Sequence, residues 1–311
     1  MFQHKNSIIL GTAQFGMDYG LTNKNGKVEE NEAIEIIRKA ISLGFEYIDT
    51  AAAYGDSEKI IGKALSNISN NNLKIITKLL PFDKNINKKK NKILWKSLVE
   101  NSIFKSFDNL NVKKIDTIML HRGSHLKNPF IINELLKLKN EKFFENIGVS
   151  IQSTEELEFA LKADYLSIIQ IPVNLLDYRW EGFVKKIEKI KKNRKLKIHA
   201  RSIFLQGLFI DNAEKNWSKA NVKDYLSIQD WILKQKKNFN CKSIKNLCIS
   251  YVNGLNWIDS LVIGVQSLAQ LNENFILYKE RPLDQMQINI IKKERPILDL
   301  NILDPSKWKK N

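Results

Sequence analysis

Short β-rich runs alternate with longer segments of helical period along the whole chain, and this alternation restricts the fold more than any other feature. Between the first two runs, Ala33, Ile36, Ile37 and Ala40 recur at spacings that place them on one face of a helix, and Gly44 is typical of a helix end. The pattern predicts eight strands. They are Ser7–Leu10, Phe45–Asp49, Leu73–Lys78, Ile115–Leu120, Asn146–Val149, Leu166–Ile171, Leu196–Ala200 and Ile258–Ile263.

The connections between these strands indicate how they are arranged. Strands that are separated by helices of about ten to fifteen residues pair in parallel through right-handed crossovers. Eight such units favour a closed barrel over an open sheet, and no linker rich in Pro, Gly or Ser divides the chain. The sequence therefore predicts an α/β protein, a (β/α)8 TIM barrel of a single domain. The barrel covers about residues 7–280, and a C-terminal tail of about 281–311 could close over one end.

The carboxyl ends of the predicted strands carry the longer loops and a set of reactive polar residues. The long loops are residues 12–29, 122–128, 172–182 and 201–222. Asp49 ends the second strand, and Tyr54 follows it. Lys78 ends the third strand, and His121 follows the fourth. Because these ends meet at one rim of a barrel, where barrels place their chemistry, we expect the four side chains to converge.

Together, these four side chains can move a proton to or from a carbonyl oxygen. A tyrosine has a pKa of about 10 and is a poor acid near neutrality, but a nearby lysine cation favours the phenolate and lowers that pKa. An aspartate can hold the lysine, and a histidine can orient the oxygen. Taken singly, a structural role is favoured for each: Asp49 as a cap, Lys78 as an ion-pair partner and His121 as a structural histidine. Their joint position favours an active site.

The chain carries a large positive charge, which raises the question of nucleic-acid binding. It has 50 Lys and Arg against 34 Asp and Glu, a net charge of +16. The excess is mostly dispersed lysine, and the densest run, 84–92, has no aromatic residue for base stacking and is interpreted as a solvated loop. We therefore expect no nucleic-acid partner. Attraction of anionic substrates is the favoured consequence of the charge.

Composition also bears on the compartment and on metals. No apolar run approaches the roughly 20 residues that span a bilayer, and the first residues, MFQHKNS, lack a basic and apolar leader. We therefore expect a cytoplasmic protein without a membrane partner. The two cysteines, Cys241 and Cys248, belong to no metal-type cluster and are interpreted as core-lining or incidental thiols. No metal is expected, and the oligomeric state stays open.

Three segments of the sequence carry a recognisable pattern. FEYIDTAAAYGDSEKIIGKAL resembles the Asp-x-x-x-x-Tyr-Gly-x-x-Glu signature of the aldo-keto reductase family, and IITKL and IMLHR follow where its lysine and histidine belong. The resemblance extends over nearly the whole chain. It implies an NAD(P)H-dependent oxidoreductase that reduces an aldehyde or ketone, or runs the reverse reaction, by direct hydride transfer. In that mechanism Tyr54 is the general acid/base, Lys78 and Asp49 tune it, and His121 orients the carbonyl.

The resemblance also implies a cofactor site along the later strands. IGVS and IIQIPVN resemble the strand ends that contact the nicotinamide amide, RSIFLQGLF resembles the loop over the pyrophosphate, and VIGVQSLAQLNEN resembles the phosphate and adenine segment. A helix that begins near Ser267 offers free N–H groups to a phosphate. NADP is favoured over NAD. The implied cofactor residues are Thr12, Ala13, Asp49, Ser150, Gln170, Arg201, Ser202, Leu205, Gly207, Gly264, Gln266, Ser267, Gln270 and Asn274.

Three positions depart from the family pattern. Arg201 replaces the aromatic residue that stacks on the nicotinamide; a guanidinium can also stack on a π-face, but it brings a charge. Ile151 replaces an asparagine after the strand-five serine. Gln266 replaces a basic residue, and a neutral amide cannot pair with a 2′-phosphate as arginine does. The choice between NADPH and NADH therefore stays open.

The substrate is the least defined part of this prediction. GTAQFGMDYG and RSIFLQGLF resemble a bacterial branch of the family that is linked with surface-polysaccharide or nucleotide-sugar genes, so a sugar, a nucleotide sugar and a simple aldehyde or ketone are all candidates. Aromatic residues on rim loops are predicted to form the pocket walls. These are Phe15, Tyr19, Tyr178, Trp180 and, as a further candidate, Trp217.

Two other functions stay open at the level of the sequence. One is a cofactor-binding regulatory or redox-sensing barrel without significant turnover, for which the charged Arg201 leaves room. The other is an isomerase or aldolase acting on sugar phosphates, in which Lys78 forms a Schiff base and no nicotinamide cofactor is needed. Turnover of aldehydes with a nicotinamide cofactor distinguishes the oxidoreductase from both.

Overall fold

Eight parallel strands close into a barrel in the order in which they occur along the chain. The computed structural model describes residues 6–66, 68, 73–82 and 91–308. Hydrogen bonding between the first and last strands, with Ile9 opposite Val262, closes the barrel. The predicted (β/α)8 barrel is therefore confirmed. The strands are β1 Ser7–Gly11, β2 Tyr47–Asp49, β3 Lys74–Lys78, β4 Ile115–Leu120, β5 Phe144–Ser150, β6 Leu166–Pro172, β7 Lys197–Arg201 and β8 Ser260–Gly264.

Amphipathic helices cover the outside of the barrel. The second helix buries Ala33, Ile36, Ile37 and Ala40, the face that its periodicity predicts, and Gly44 follows its end with a φ of 84°. These apolar helix residues and those of the strands pack together into the main hydrophobic core. The helices are α1 Ala13–Gly16, α2 Glu30–Ser42, α3 Ser57–Leu65, α4 Lys92–Leu110, α5 Pro129–Asn140, α6 Thr154–Lys162, α7 Val184–Asn193, α8 Glu214–Lys219, α9 Tyr225–Asn238, α10 Ile244–Gly254, α11 Leu268–Lys279 and α12 Gln285–Glu294.

The segment after β7 is more ordered than a long loop. Residues 201–222 contain a 3-10 helix at Leu205–Ile210 and the short helix α8. Trp217 of α8 is fully buried, and its indole donates a hydrogen bond to the Asp211 carbonyl oxygen at 2.9 Å. A helix of six residues is too short for the 3.6-residue period to repeat, so the periodicity gives no signal for it.

The C-terminal tail lies against loops at the carboxyl end of the barrel. After α12, which packs on α10, Leu298 accepts a hydrogen bond from the Tyr178 hydroxyl at 3.0 Å. Further along, Asp304 accepts one from the Gln152 side chain at 3.0 Å. The tail is therefore attached to the loops that follow β5 and β6. The assignment of barrel and tail to a single domain stays a prediction.

The amino end of the barrel holds a group of side chains that we call the amino-end cluster: Tyr47, Lys74, Lys197 and His199. The Tyr47 hydroxyl lies 3.5 Å from Lys74 Nζ and 3.4 Å from Lys197 Nζ. The His199 ring meets the Tyr47 ring edge-on, with 6.4 Å between centroids. Tyr47 and His199 are buried, whereas both lysines are exposed to solvent.

The structure also bears on the sequence predictions about the basic run, membrane spans, metal ligands and cysteines. Residues 84–90 of the basic run lie outside the described residues. Across the described ranges, no helix is long and apolar enough to cross a membrane, and no three His, Cys, Asp or Glu residues are grouped as metal ligands. Burial raises the pKa of Cys241 to about 11 and raises the pKa of Cys248 as well, so both thiols are protonated and unreactive near neutrality.

Candidate active site

A buried ion pair joins the ends of β2 and β3. Lys78 Nζ donates to Asp49 Oδ1 at 2.5 Å and to the Thr50 carbonyl oxygen at 2.8 Å, and both charged side chains are almost completely buried. Burial opposes the ammonium charge, but the negative charge of Asp49 and the neighbouring Tyr54 outweigh it and raise the pKa of Lys78. The site therefore contains a fixed cation at neutral pH.

Tyr54 lies beside this cation, in the turn between β2 and α3. Lys78 Nζ is 5.1 Å from the centroid of the Tyr54 ring. The His121 ring meets the Tyr54 ring edge-on, with 5.7 Å between centroids and 89° between planes. The structure thus brings together the four side chains whose convergence the sequence predicts.

His121 is electrically neutral in this environment. Burial lowers its pKa to about 3, with further contributions from the positive charges of Lys78, Arg201 and Arg122. A neutral imidazole has one nitrogen that donates a hydrogen bond and one that accepts. Its Nδ1 is buried and has no hydrogen-bond partner among the residues that the structure describes. The ring is therefore a polar group without charge next to the tyrosine.

Two glycines set the position of the Tyr54 turn. A β-carbon at Gly16, the last residue of α1, would overlap the Tyr54 carbonyl oxygen, and one at Gly55 would overlap the Gly16 carbonyl oxygen. Gly55 also has a φ of 52°, in the left-handed region that glycine tolerates. Behind the turn, Ser57 Oγ hydrogen-bonds to Thr12 Oγ1 at 2.8 Å. The backbone of α1 therefore packs directly against the turn that carries Tyr54.

Gln170 connects the opposite side of the barrel to the ion pair. Its Nε2 donates to Asp49 Oδ2 at 2.8 Å, so both carboxylate oxygens of Asp49 accept hydrogen bonds from buried donors. The sequence predicts Gln170 only as a contact of the nicotinamide amide. The two partners are 121 positions apart, and no local pattern signals such a pair.

A cavity of about 530 Å³ opens at the carboxyl end of the barrel, beside Tyr54. Its lining includes Tyr54, Tyr19 and most of the residues predicted to bind the cofactor. The predicted cofactor residues that line it are Thr12, Ala13, Asp49, Gln170, Arg201, Ser202, Gly207, Gly264, Gln266, Gln270 and Asn274.

Three predicted cofactor residues are not part of this lining. Ser150 is buried at the end of β5, opposite Gln170 in the strand register. The Leu205 side chain is buried in the core. The Ser267 hydroxyl caps α11 by accepting a hydrogen bond from the Gln270 backbone at 3.2 Å. Their contacts with the cofactor stay predictions.

The aromatic wall is only partly present. Tyr19 lines the cavity, but Phe15 and Trp180 are buried in the core, and Tyr178 is held by the tail. Trp217, on α8 within the segment after β7, is buried as well. Of the five aromatic residues only Tyr19 lines the described cavity, because tail contacts or core packing hold the other four, and the contact of these residues with substrate stays a prediction.

Two loops that line the cavity are in contact with each other. Thr22, in the loop after β1, occupies the space that a β-carbon at Gly207 would need, in the loop after β7. Ser202, Leu205 and Gln206 of the second loop have positive φ values between 47° and 58°, a conformation that costs on the order of 1 kcal/mol or more for residues other than glycine. Strain of this kind is concentrated at functional sites.

The loop after β1 contributes lining residues that the sequence reasoning missed. The sequence predicts a long loop here on the reactive face, and its Asn25–Gly26 dipeptide is a turn signal. Asn23 Oδ1 accepts hydrogen bonds from the backbone of both residues at 3.0 Å. The unpredicted lining residues of the cavity include Gln14, Gly20, Thr22, Asn23, Lys24, Asn25, Gln206, Asp211 and Lys245.

Polar atoms without partners mark the β8 end of the cavity. Gln266 Nε2 and Asn274 Oδ1 are buried without a hydrogen-bond partner in the described part of the chain, and both residues line the cavity. A buried polar group without a partner costs about 1–3 kcal/mol. These atoms offer one hydrogen-bond donor and one acceptor beside α11, whose N-terminus can bind a phosphate. Such a set of groups fits a large polar molecule with phosphate groups, such as a dinucleotide.

This fold and site define a barrel oxidoreductase with a lysine-supported tyrosine at its mouth. The profile of the Aldo/keto reductase family matches residues 7–295, and the chain belongs to this family. It is an aldo-keto reductase-type oxidoreductase that acts on small-molecule carbonyls, and the family uses NAD(P)H.

Individual relatives cover most of the chain. The aldo-keto reductase YhdN of Bacillus subtilis is 27% identical over 267 residues, 79% of this chain and 78% of that protein. The L-galactose dehydrogenase of Arabidopsis thaliana is 22% identical over 258 residues, 80% of this chain and 78% of that protein. The solved holo form of aldo-keto reductase AKR11C1 from Bacillus halodurans shares the fold with a TM-score of 0.74 at 18% identity, and covers 97% of this chain and 98% of that one.

Proposed function

We propose that the chain reduces an aldehyde or ketone to an alcohol, or oxidises the alcohol, with Tyr54 as the general acid/base. One observation carries the proposal. Lys78, which Asp49 keeps charged, lies 5.1 Å from the Tyr54 ring, and the neutral His121 packs edge-on against the same ring. When bound, NAD(P)H supplies a hydride to the carbonyl carbon of the substrate.

Each side chain has a distinct task in this proposal. Tyr54 gives its proton to the carbonyl oxygen, and the fixed ammonium of Lys78 stabilises the phenolate that remains. Asp49 holds that ammonium in place and keeps it charged. His121 is neutral at physiological pH, so it can donate a hydrogen bond to the substrate oxygen without competing as a stronger acid.

We propose that the cofactor lies in the cavity and is NADP(H) rather than NAD(H). Gln266 and Asn274 would hold it through the polar atoms that have no partner, with Gln270 beside them. Lys24 also lines the cavity, and a cation suits the 2′-phosphate of NADP. Titration of the fluorescence of NADPH and NADH with the protein measures this preference.

The substrate class and the setting are also proposals. A sugar or nucleotide-sugar carbonyl, in keeping with the surface-polysaccharide branch, is supported by the similarity to a protein named L-galactose dehydrogenase. Polar side chains in the cavity, such as Asn23 and Gln206, suit a hydroxylated substrate. We further propose that the chain acts in the cytoplasm as a single-domain enzyme that binds no nucleic acid.

The experiment compares Tyr54→Phe with Tyr47→Phe, its matched control in the amino-end cluster. Tyr54→Phe is expected to lower kcat by about 10²- to 10⁴-fold, because it removes the acid, and to leave the dissociation constant of NADPH unchanged. Tyr47→Phe is expected to keep kcat within about twofold. Full turnover by Tyr54→Phe would exclude Tyr54 as the acid. Tight NADPH binding by the wild type without turnover of any aldehyde, sugar or nucleotide sugar would favour a regulatory barrel.

A further inference from the structure

Arg201 places an uncompensated positive charge in the cavity. Its guanidinium donates to Gln152 Oε1 at 2.7 Å, to the Ile151 carbonyl oxygen at 3.0 Å and to Ser202 Oγ at 3.3 Å. All three acceptors are neutral, and no ion pair within the described ranges includes Arg201. Lys78, the other cation beside Tyr54, is already neutralised by Asp49. The half-buried Arg201 is therefore a cation in the cavity lining that has no carboxylate in direct contact among the described residues.

The direction of the side chain separates Arg201 from the proposed phosphate end of the cavity. Arg201 ends β7, whose neighbours in the barrel are β6 and β8. Its guanidinium contacts Ile151 and Gln152, which follow β5, so the side chain extends across β6 and away from β8. Gln266 and Asn274, the residues with partnerless polar atoms, lie after β8 on the other side. The charge is thus directed toward the β4 and β5 side of the barrel, where it is close enough to His121 to contribute to the lowered pKa of that residue.

A second layer of contacts fixes the guanidinium. The Gln152 side chain accepts from Arg201 with its oxygen and donates to Asp304 of the tail with its nitrogen, at 3.0 Å, so its amide has one favourable orientation. Arg179 donates to the Gln152 carbonyl oxygen at 2.9 Å and forms a buried ion pair with Asp177. The tail and the loops after β5 and β6 therefore build a support that holds Arg201 in one position. An immobilised guanidinium is well suited to bind a carboxylate or phosphate.

Tyr19, which lines the same cavity as Arg201, offers a second donor. Its hydroxyl is close enough to Tyr54, Arg201 and Lys78 for their charges to influence it, and Gln206 hydrogen-bonds to it. Burial raises the pKa of Tyr19, so the phenol keeps its proton at physiological pH. A neutral hydroxyl next to a guanidinium can donate to the same anion.

We propose that Arg201, with Tyr19, binds an anionic group of the substrate, a carboxylate or a phosphate that the substrate carries near its reactive carbonyl. The inference rests on the proposed carbonyl reduction and narrows its substrate to anionic aldehydes, ketones or the corresponding alcohols. Gln152 is a positioning residue, which acts through Arg201.

The test uses the holoenzyme and two aldehydes of similar shape, 4-carboxybenzaldehyde and the uncharged 4-nitrobenzaldehyde. Arg201→Gln is expected to lower the ratio of kcat/KM for the charged over the uncharged aldehyde by about 10- to 100-fold, as the loss of a charge-assisted hydrogen bond predicts. Arg201→Lys should recover part of it. Gln152→Glu, which supplies a counter-charge without altering Arg201, should also abolish the preference. Arg122→Gln removes an exposed charge near His121 and should leave the ratio unchanged.

A binding measurement keeps this test separate from the proposed function. Benzoate and benzamide are titrated calorimetrically into the NADP⁺-loaded protein, which requires no turnover. Benzoate should bind about tenfold more tightly than benzamide, and only in proteins that retain a positive charge at position 201. Equal affinities in the wild type would overturn the inference. An unchanged aldehyde ratio in Arg201→Gln, together with weaker NADPH binding, would overturn it too and would assign Arg201 to the cofactor instead.

Discussion

The two ends of the barrel carry nearly the same chemical groups in very different surroundings. At the carboxyl end, Tyr54 lies between Lys78 and His121; at the amino end, Tyr47 lies between Lys74, Lys197 and His199. Strand β3 connects the two sites directly, because it begins with Lys74 and ends with Lys78. A phenol, an ammonium and an imidazole thus occur together twice in one chain.

The difference lies in burial, counter-charge and access. Lys78 is 1% exposed and bound to a carboxylate, whereas Lys74 extends into water. Tyr54 borders a cavity, while the Tyr47 ring is closed into the barrel interior with Ile9 and Met119. The pKa of Lys74 is also raised, chiefly by Tyr47. Residue types and pKa directions alone therefore do not distinguish the two clusters; a buried charge pair beside an open cavity does.

Replacing each of the two lysines of β3 with methionine tests this comparison, and the expected effects on stability and kcat are the largest of those predicted here. Lys78→Met leaves Asp49 buried without its partner, so the free energy of unfolding should fall by about 3–5 kcal/mol and kcat by at least about 100-fold. Lys74→Met should change the free energy of unfolding by less than about 0.5 kcal/mol and kcat by less than about twofold. Urea denaturation and steady-state kinetics measure both. Equal losses for the two variants would remove the distinction between the ends.

A smaller loss of kcat is expected when Tyr54 is displaced than when the neighbouring Lys78 is removed. Gly16→Ala introduces a β-carbon that overlaps the Tyr54 carbonyl oxygen, so the turn must move. A displacement of about 1 Å typically costs about 100-fold in rate. Gly182→Ala is the matched control, because a β-carbon there meets no atom within 4 Å. If Gly16→Ala kept the kcat of Gly182→Ala, placement of the phenol would not be what distinguishes Tyr54 from Tyr47.

The smallest effect concerns the two histidines and the pH dependence of stability. Burial lowers the pKa of His199 to about 3, as it does for His121. The unfolded chain therefore binds more protons between pH 6.5 and about 3, and stability is complete above pH 6.5 and falls with decreasing pH through this window. His199→Gln should remove about 1.5 kcal/mol of the stability lost between pH 6.5 and 5 and leave kcat unchanged.

His121→Gln provides the contrast for this measurement. It should reduce the acid sensitivity by a similar amount and also lower kcat, because only His121 borders the reacting tyrosine. Denaturant titrations at pH 6.5 and 5 give the stabilities. A loss of kcat in His199→Gln as large as that in His121→Gln would mean that the amino-end cluster takes part in turnover.

The sequence predicts the carboxyl-end cluster well because strand order determines its position. Asp49, Lys78 and His121 stand at or next to strand ends, and any closed parallel barrel brings such ends together. The hydrogen bond from Gln170 to Asp49 crosses the barrel interior between distant positions, and the periodicity of a single segment contains no information about it. The same applies to the contact of Gly16 with the Tyr54 turn.

Side chains on loops are less predictable, because tertiary packing decides where they point. Phe15, Tyr178 and Trp180 follow strand ends as Tyr19 does, yet only Tyr19 reaches the cavity. Tyr178 is held by the tail, whose path over the loops after β5 and β6 depends on contacts more than a hundred positions apart. The sequence does not predict the amino-end cluster, because barrels place their chemistry at the opposite rim.

The contact of Thr22 with Gly207 has a consequence for the timing of turnover. A β-carbon at position 207 would overlap the Thr22 side chain, so the two loops touch where both line the cavity, and a dinucleotide bound there, as proposed, would leave only when they separate. Loop opening takes microseconds to milliseconds, and in many enzymes lid opening or product release, not chemistry, limits turnover; here the separation of the two loops would be such a step. Faster proton transfer would then bring no gain, and the residence time of the spent cofactor would be a property of two short stretches of backbone.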